Sequence, residues 1–371
     1  MRRFSLAFAL TFALTFALSI TLPAASLAEP MVRIAMADQE GAATFQAERL
    51  RLRALTEEGS YRLVDGGSVT LRHGPEAVHV EGIPKSAQAL KLRADGPITM
   101  GKLVVRGAVE VLWSPAGLLV INEVPMERYL AAVLGSEMPP SFPPEALKAQ
   151  AVAARTYAIG KKIDAEGQPA HLGATVLSQV YGGVNREDPR THAAVKATKG
   201  EVLVYDHAPI EAYFFSSCGG TTEGGAEALG RALPYLAVHS CPEKADTPGA
   251  RWTLQLSGAE LGKRLGFPAV RSIRIATRTS SGRARTVEVV TADGRHHLDA
   301  VTLRRRIGYA ELKSLAFEIE KASGGFRFRG KGSGHGAGMC QWGASAAATA
   351  GASYQEILQL YYPGTELRRM Y

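Results

Sequence analysis

The chain has 371 residues, 46% of them hydrophobic and 21% charged, with a formal charge of +8. Such a length and apolar fraction can bury a real core, in two domains or in one large domain carrying an insertion. The positive balance suits polyanionic partners or decorates a soluble surface, and no basic run interleaved with aromatics supports nucleic-acid binding.

In chain order, Met1-Arg2-Arg3 precedes an apolar run from Phe4 to about Leu22, followed by small residues at Ser26 and Ala28. This is the layout of a secretory signal cleaved after Ala28; an uncleaved membrane anchor is the competing reading. Either places the body of the protein outside the cytoplasm, in the periplasm, the envelope or the medium. From Val32 to about Val111, short alternating runs such as Val32-Arg33-Ile34 and Val69-Thr70-Leu71 are punctuated by Asp65-Gly66-Gly67 and Asp95-Gly96-Pro97. They predict a β-rich N-terminal module over residues 31–115.

Helices follow. Pro125 at a first position, with Met126, Leu130, Val133 and Leu134 on one face, predicts a helix ending near Gly135. A second begins after Pro143-Pro144 and runs through Tyr157, with so many alanines that its face can approach neighbouring backbone closely. From Trp252 to about Leu298 the alternation returns, with a hairpin signal at Asp293-Gly294. The fold class expected is α+β: a mixed α/β domain over residues 116–371, a β-rich insertion at about 250–330, and the β-rich N-terminal module.

Glu137 stands first among candidate chemical groups. A carboxylate at a helix C-terminus meets the negative end of the helix dipole, and an apolar lining adds desolvation; both favour the protonated acid. Protonating a glycosidic oxygen near neutral pH requires such an acid, although a solvated surface Glu would read the same way. Glu127 and Glu145 fit better as first-turn carboxylates. Gln150 and Arg155 lie along the apolar stripe of the second helix, where they either satisfy neighbouring groups or bind a sugar. The planar fork of Arg155 also matches a carboxylate.

Glycines at every second position in Gly332–Gly338 bare the backbone around His335 before Gln341 opens an alanine-rich helix. The segment lacks the spacing of a dinucleotide or phosphate loop. Of the three cysteines, Cys218 and Cys241 are nearest in sequence and are expected to form a disulfide, leaving Cys340 buried or reactive. A Cys218–His335 nucleophile pair and a zinc site from Cys218, Cys340 and His335 are weaker alternatives, the latter without ligand spacing behind it.

Together these stretches resemble the stage II sporulation protein D (SpoIID/LytB, amidase-enhancer) family. The matching segments are Val124 to Tyr157 with Ser136-Glu137-Met138-Pro139, Ser178 to Gly183, Thr198 to Thr222, Pro234-Tyr235-Leu236, Gly334 to Ala344, and Tyr361-Tyr362-Pro363-Gly364. The resemblance implies a lytic transglycosylase that cuts peptide-stripped peptidoglycan glycan between N-acetylmuramic acid and N-acetylglucosamine, with Glu137 as its acid. The residues expected to face the glycan are Gln150, Arg155, Tyr157, Gln179, Tyr181, Ser216, Thr222, His335 and Gln341. Expected partners are peptidoglycan strands and a cell-wall amidase, with no nucleic acid, and a membrane only if the signal segment stays uncleaved. The alternative is a non-catalytic activator of that amidase. Some members bind zinc through a His and two cysteines; His171 is present here but residues 172–178 hold no cysteine. No cofactor and no metal are therefore expected.

Overall fold

A computed structural model describes residues 28–36, 41–55, 61–175 and 178–371. The expected signal segment, apart from Ala28, lies outside them. Among the described residues no helix is long and apolar enough to cross a membrane.

Period-two alternation builds the N-terminal sheets, since successive side chains on a strand face opposite sides. In Met31–Ala35, Val32 and Ile34 are fully buried while their neighbours are not. A seven-stranded sheet runs in the order Leu172–Gly173, Met31–Ala35, Gly117–Pro125, Ala108–Ser114, Ala89–Arg93, Arg51–Ala54, Arg62–Leu63. All its neighbours are antiparallel except the first pair. A second sheet of six strands lies within the same apolar core.

The strand Gly117–Pro125 passes directly into helix α1 (Met126–Glu137), so the sheet aims that helix. α1 runs two residues past the expected end at Gly135. A Cβ at Gly135 would lie 1.8 Å from the Arg186 carbonyl oxygen, so only glycine lets the segment after Gly182 lie against the last turn. Helix α2 (Pro144–Asp164) begins with Pro at its first turn and buries an unbroken run from Ala149 to Ile159. Its alanines let α3 (Pro189–Ala197), α7 (Gln341–Thr349) and α8 (Tyr354–Tyr361) pack onto it. Between them comes the short α4 (Gly225–Leu229).

Residues 251–331 form two three-stranded sheets with α5 (Gly258–Leu265) and α6 (Ala300–Ile307). Their apolar residues, from Trp252 to Phe328, make a core of their own. This region is less purely β than the alternating pattern implies. In α5, Ser257 accepts the Glu260 amide as N-cap, and Gly262 lets the helix touch the Pro268 carbonyl.

Candidate active site

Glu137 is the last residue of α1, where the helix stops at extended Met138. Its Oε1 accepts the Val180 amide at 2.7 Å, and the Gln341 side chain hydrogen-bonds the same carboxyl. Burial pushes its pKa above the usual carboxylate range, against the opposing pull of those two donors. Among the described residues no cation offsets the desolvation. The group is therefore suited to holding a proton.

Two segments far apart in sequence meet at this carboxyl, and a third, on α2, backs one of them. Gln341 opens α7, is 4% exposed, and its Nε2 lies 3.5 Å from Gln150 Oε1 on α2. Gln150 is fully buried and its Nε2 has no partner among the described residues. The segment carrying Val180 is pinned by Gln179, which accepts the Tyr129 hydroxyl at 2.7 Å and donates to the Ala154 carbonyl at 3.2 Å. Tyr181 donates to Asn122 Oδ1 at 2.8 Å and so ties the same segment to the sheet. Ser136 accepts the Gly182 amide.

A second group is aromatic. The His335 ring lies against Tyr213 and Phe215, and Tyr213 meets Tyr157 edge-on at 5.6 Å between centroids. His335 Nε2 donates to the Phe214 carbonyl at 3.1 Å while Nδ1 accepts the Ala337 amide at 3.2 Å. Both ring nitrogens are thus engaged by backbone, and burial pushes the imidazole pKa down to about 4. His335 is a neutral ring packed behind Tyr213. Tyr157, Tyr213, Lys161, His171 and Ser178 line a cavity of about 530 Å³.

Other expected residues sit elsewhere. Arg155 is fully buried and forks onto Glu127 at 2.9 and 2.7 Å, with further bonds to the Glu201 carbonyl at 3.1 Å and other backbone oxygens. Its expected role on a substrate carboxylate gives way to an internal ion pair, because its whole fork is spent on Glu127 and those carbonyls. Thr222 is equally buried, donating to the Ala237 carbonyl and accepting the His239 amide. Ser216 is exposed and borders a separate cavity with Tyr309 and Lys313.

The expected Cys218–Cys241 disulfide is not formed; Cys218, Cys241 and Cys340 are all free and buried. Proximity in sequence suggested that pair, whereas the fold brings all three thiols together beside Glu243. The parallel pairing of Phe214–Phe215 with Met339–Cys340 is what carries Cys340 there.

Tyr129, Tyr213 and the Val180 amide escaped the sequence reading. Tyr129 precedes Glu137 by about two turns on α1, a spacing that places it near the same face. The Val180 amide left no residue-type signal, because a backbone donor looks the same at every position.

Fold and site define a mixed α+β protein with a desolvated carboxyl at a helix end. The chain belongs to the stage II sporulation protein D family. The model described as "Stage II sporulation protein" matches residues 114–205. Stage II sporulation protein D of Bacillus subtilis is 31% identical over 67% of this chain and 75% of its own length. An uncharacterized protein of Brachyspira hyodysenteriae is 36% identical over 67% and 68%. The amidase enhancer of Bacillus subtilis is 30% identical over 83% of this chain but only 51% of itself. A model described as a domain of unknown function matches residues 249–338, the region with its own core. These similarities assign the protein a cell-wall-related role.

Proposed function

We propose that this protein is an envelope-located lytic transglycosylase acting on peptide-stripped peptidoglycan glycan, with Glu137 as general acid and base. The observation that carries the reading is a desolvated carboxyl, raised in pKa, whose partners are an amide and the Gln341 side chain. With Oε1 occupied by the Val180 amide, Oε2 carries the proton. It is delivered to the glycosidic oxygen as the bond to the muramic acid anomeric carbon breaks. The resulting carboxylate takes the proton of the muramic acid 6-hydroxyl, whose oxygen bonds to that carbon and closes a 1,6-anhydro ring. No water is consumed, so the second placed carboxylate of a glycoside hydrolase is not needed.

The cavity lined by Tyr157 and Tyr213 supplies aromatic surface, and Lys161, which also pairs with Asp164 and Glu211, supplies a cation there where Arg155 was expected to. Stacking on apolar sugar faces and pairing with a lactyl carboxylate are the contacts these groups can make. A second reading, a glycan-binding activator of a cell-wall amidase, rests on the name of the amidase enhancer relative.

The test is mass spectrometry of intact and peptide-stripped glycan after incubation with the wild type and with Glu137→Gln. Anhydro-muramic ends from the wild type alone support the enzyme. Binding by both without cleavage by either moves the assignment to the activator.

A further inference from the structure

We propose that Cys218, Cys241, Cys340 and Glu243 form a structural site for a tetrahedral divalent transition-metal ion of the zinc class. One ligand atom from each lies within 4.8 Å of all the others. Cys218 Sγ and Cys340 Sγ stand 3.0 and 3.5 Å from Glu243 Oε2. With metal bonds of about 2.3 Å to sulfur and about 2.0 Å to oxygen, a tetrahedron has sulfur–oxygen edges of about 3.5 Å and sulfur–sulfur edges of about 3.8 Å. The Cys340 contact already has that length, the Cys218 contact is shorter than it by about half an ångström, and the 4.8 Å bound leaves the remaining edges to close by no more than about 1.3 Å.

The surroundings suit thiolates. Cys218 Sγ accepts the Gly220 amide at 3.3 Å, and Cys340 Sγ accepts the amides of Cys218 at 3.2 Å and Gly343 at 3.3 Å. The Tyr361 hydroxyl lies 3.1 Å from Cys241 Sγ. Glu243 Oε2 is steered into the cluster by the amides of Cys218 and Gly219, at 2.8 and 2.9 Å. Three thiolates and a carboxylate carry four negative charges, of which the ion cancels two. Arg283, 3% exposed, stands behind the cluster and donates only to neutral acceptors, the carbonyls of Cys218, Thr221 and Thr222 and the Ser281 hydroxyl. Its positive charge has no carboxylate hydrogen bond; it is shared between the nearby buried Glu223 carboxylate and the three sulfurs, and so offsets part of what the ion leaves.

A disulfide accounts for these observations less well. Joining any two sulfurs strands the third thiol and leaves Glu243 aimed at an apolar sulfur. An ion uses all four groups and keeps three thiols reduced in an oxidising compartment, releasing the thiol protons to solvent on binding. The site also joins three segments: the loop after Phe214–Phe215, the loop before Glu243, and the N-cap of α7. Gln341, which follows Cys340 directly, touches Glu137, so the ion would hold that side chain in register. The proposal does not depend on the transglycosylase reading.

The experiment uses the full chain exported by its host cell and purified without chelator or reductant. Metal content, intact mass and thiol count are measured, and the metal-stripped protein is titrated with cobalt(II). Expected are one zinc per chain, three thiols after denaturation in chelator, and a sulfur-to-cobalt charge-transfer band saturating at one equivalent. Glu243→Ala should weaken binding by at least about tenfold, and Glu243→Cys should keep one equivalent. Because Cys340→Ser can fail to fold, the cobalt titration of the unmutated protein decides. A mass lighter by two hydrogens with one remaining thiol overturns the proposal in favour of a disulfide. Three free thiols that give no cobalt band overturn it as well, as does zinc retained undiminished in both Glu243→Ala and Cys340→Ser.

Discussion

The two ends of α1 carry the same residue type in opposite circumstances. In the first turn, Glu127 faces the positive end of the helix dipole and takes the Nε and Nη2 hydrogen bonds of Arg155. In the last turn, Glu137 faces the negative end and is met only by the Val180 amide and Gln341, so burial raises its pKa. Ten residues separate a carboxylate whose charge is balanced from a carboxyl whose pKa is raised by burial. What a carboxyl does here is decided by its partner: a guanidinium makes it part of the framework, and a desolvated setting with only neutral donors raises its pKa.

Four substitutions test that contrast, from the largest expected effect down. Glu137→Gln should lower glycan cleavage by about 100- to 10,000-fold while leaving binding intact, read by product mass and by pull-down on stripped glycan. The same variant should gain stability. A raised folded-state pKa means the native state holds the proton longer, so wild-type stability falls as pH rises through the window above the ordinary carboxylate value. The advantage of Glu137→Gln in denaturant melts should accordingly be greater at pH 8 than at pH 4.

Arg155→Met should cost about 3 to 5 kcal/mol, since it leaves Glu127 partly buried without its counter-charge. Urea unfolding reads the loss directly. An unchanged midpoint would mean that Arg155 is free for substrate after all.

His335→Gln probes the aromatic wall. With a folded pKa of about 4 against an ordinary 6.5, His335 contributes stability that is present above pH 6.5 and lost as pH falls towards 4. The full span is about 3 kcal/mol, so the variant should show a flatter acid limb between those pH values in thermal melts. Smallest is Gln341→Leu. Removing a donor that favours the carboxylate should raise the Glu137 pKa further and move the alkaline limb of the pH–rate profile upward, by less than about one unit.

Much of the local architecture was legible in the residues. Alternation marked Met31–Ala35, and the Pro-led runs marked α1 and α2, because side-chain spacing along one element is set by that element's own geometry. The helix α5 was missed although Ser257 and Glu260 stand at capping distance. Its two glycines, Gly258 and Gly262, are poor helix formers, and the close passage of Val270 and Pro268 explains them. Glu137 could be singled out from its place before Met138-Pro139, yet Arg155 was assigned to substrate, because a buried arginine and a binding arginine look alike until the partner is known.

By itself, then, the sequence determined the α+β class, the positions of α1 and α2, the place of Glu137 close to the end of α1 and the glycine-bare loop around His335. All are written in residues that are neighbours along the chain. Only the tertiary structure decided that Glu127 is paired, that Val180 and Gln341 meet Glu137, and that three thiols converge with Glu243. Desolvation and charge pairing depend on atoms brought within a few ångströms from scores of residues away, and no spacing within one element encodes that distance.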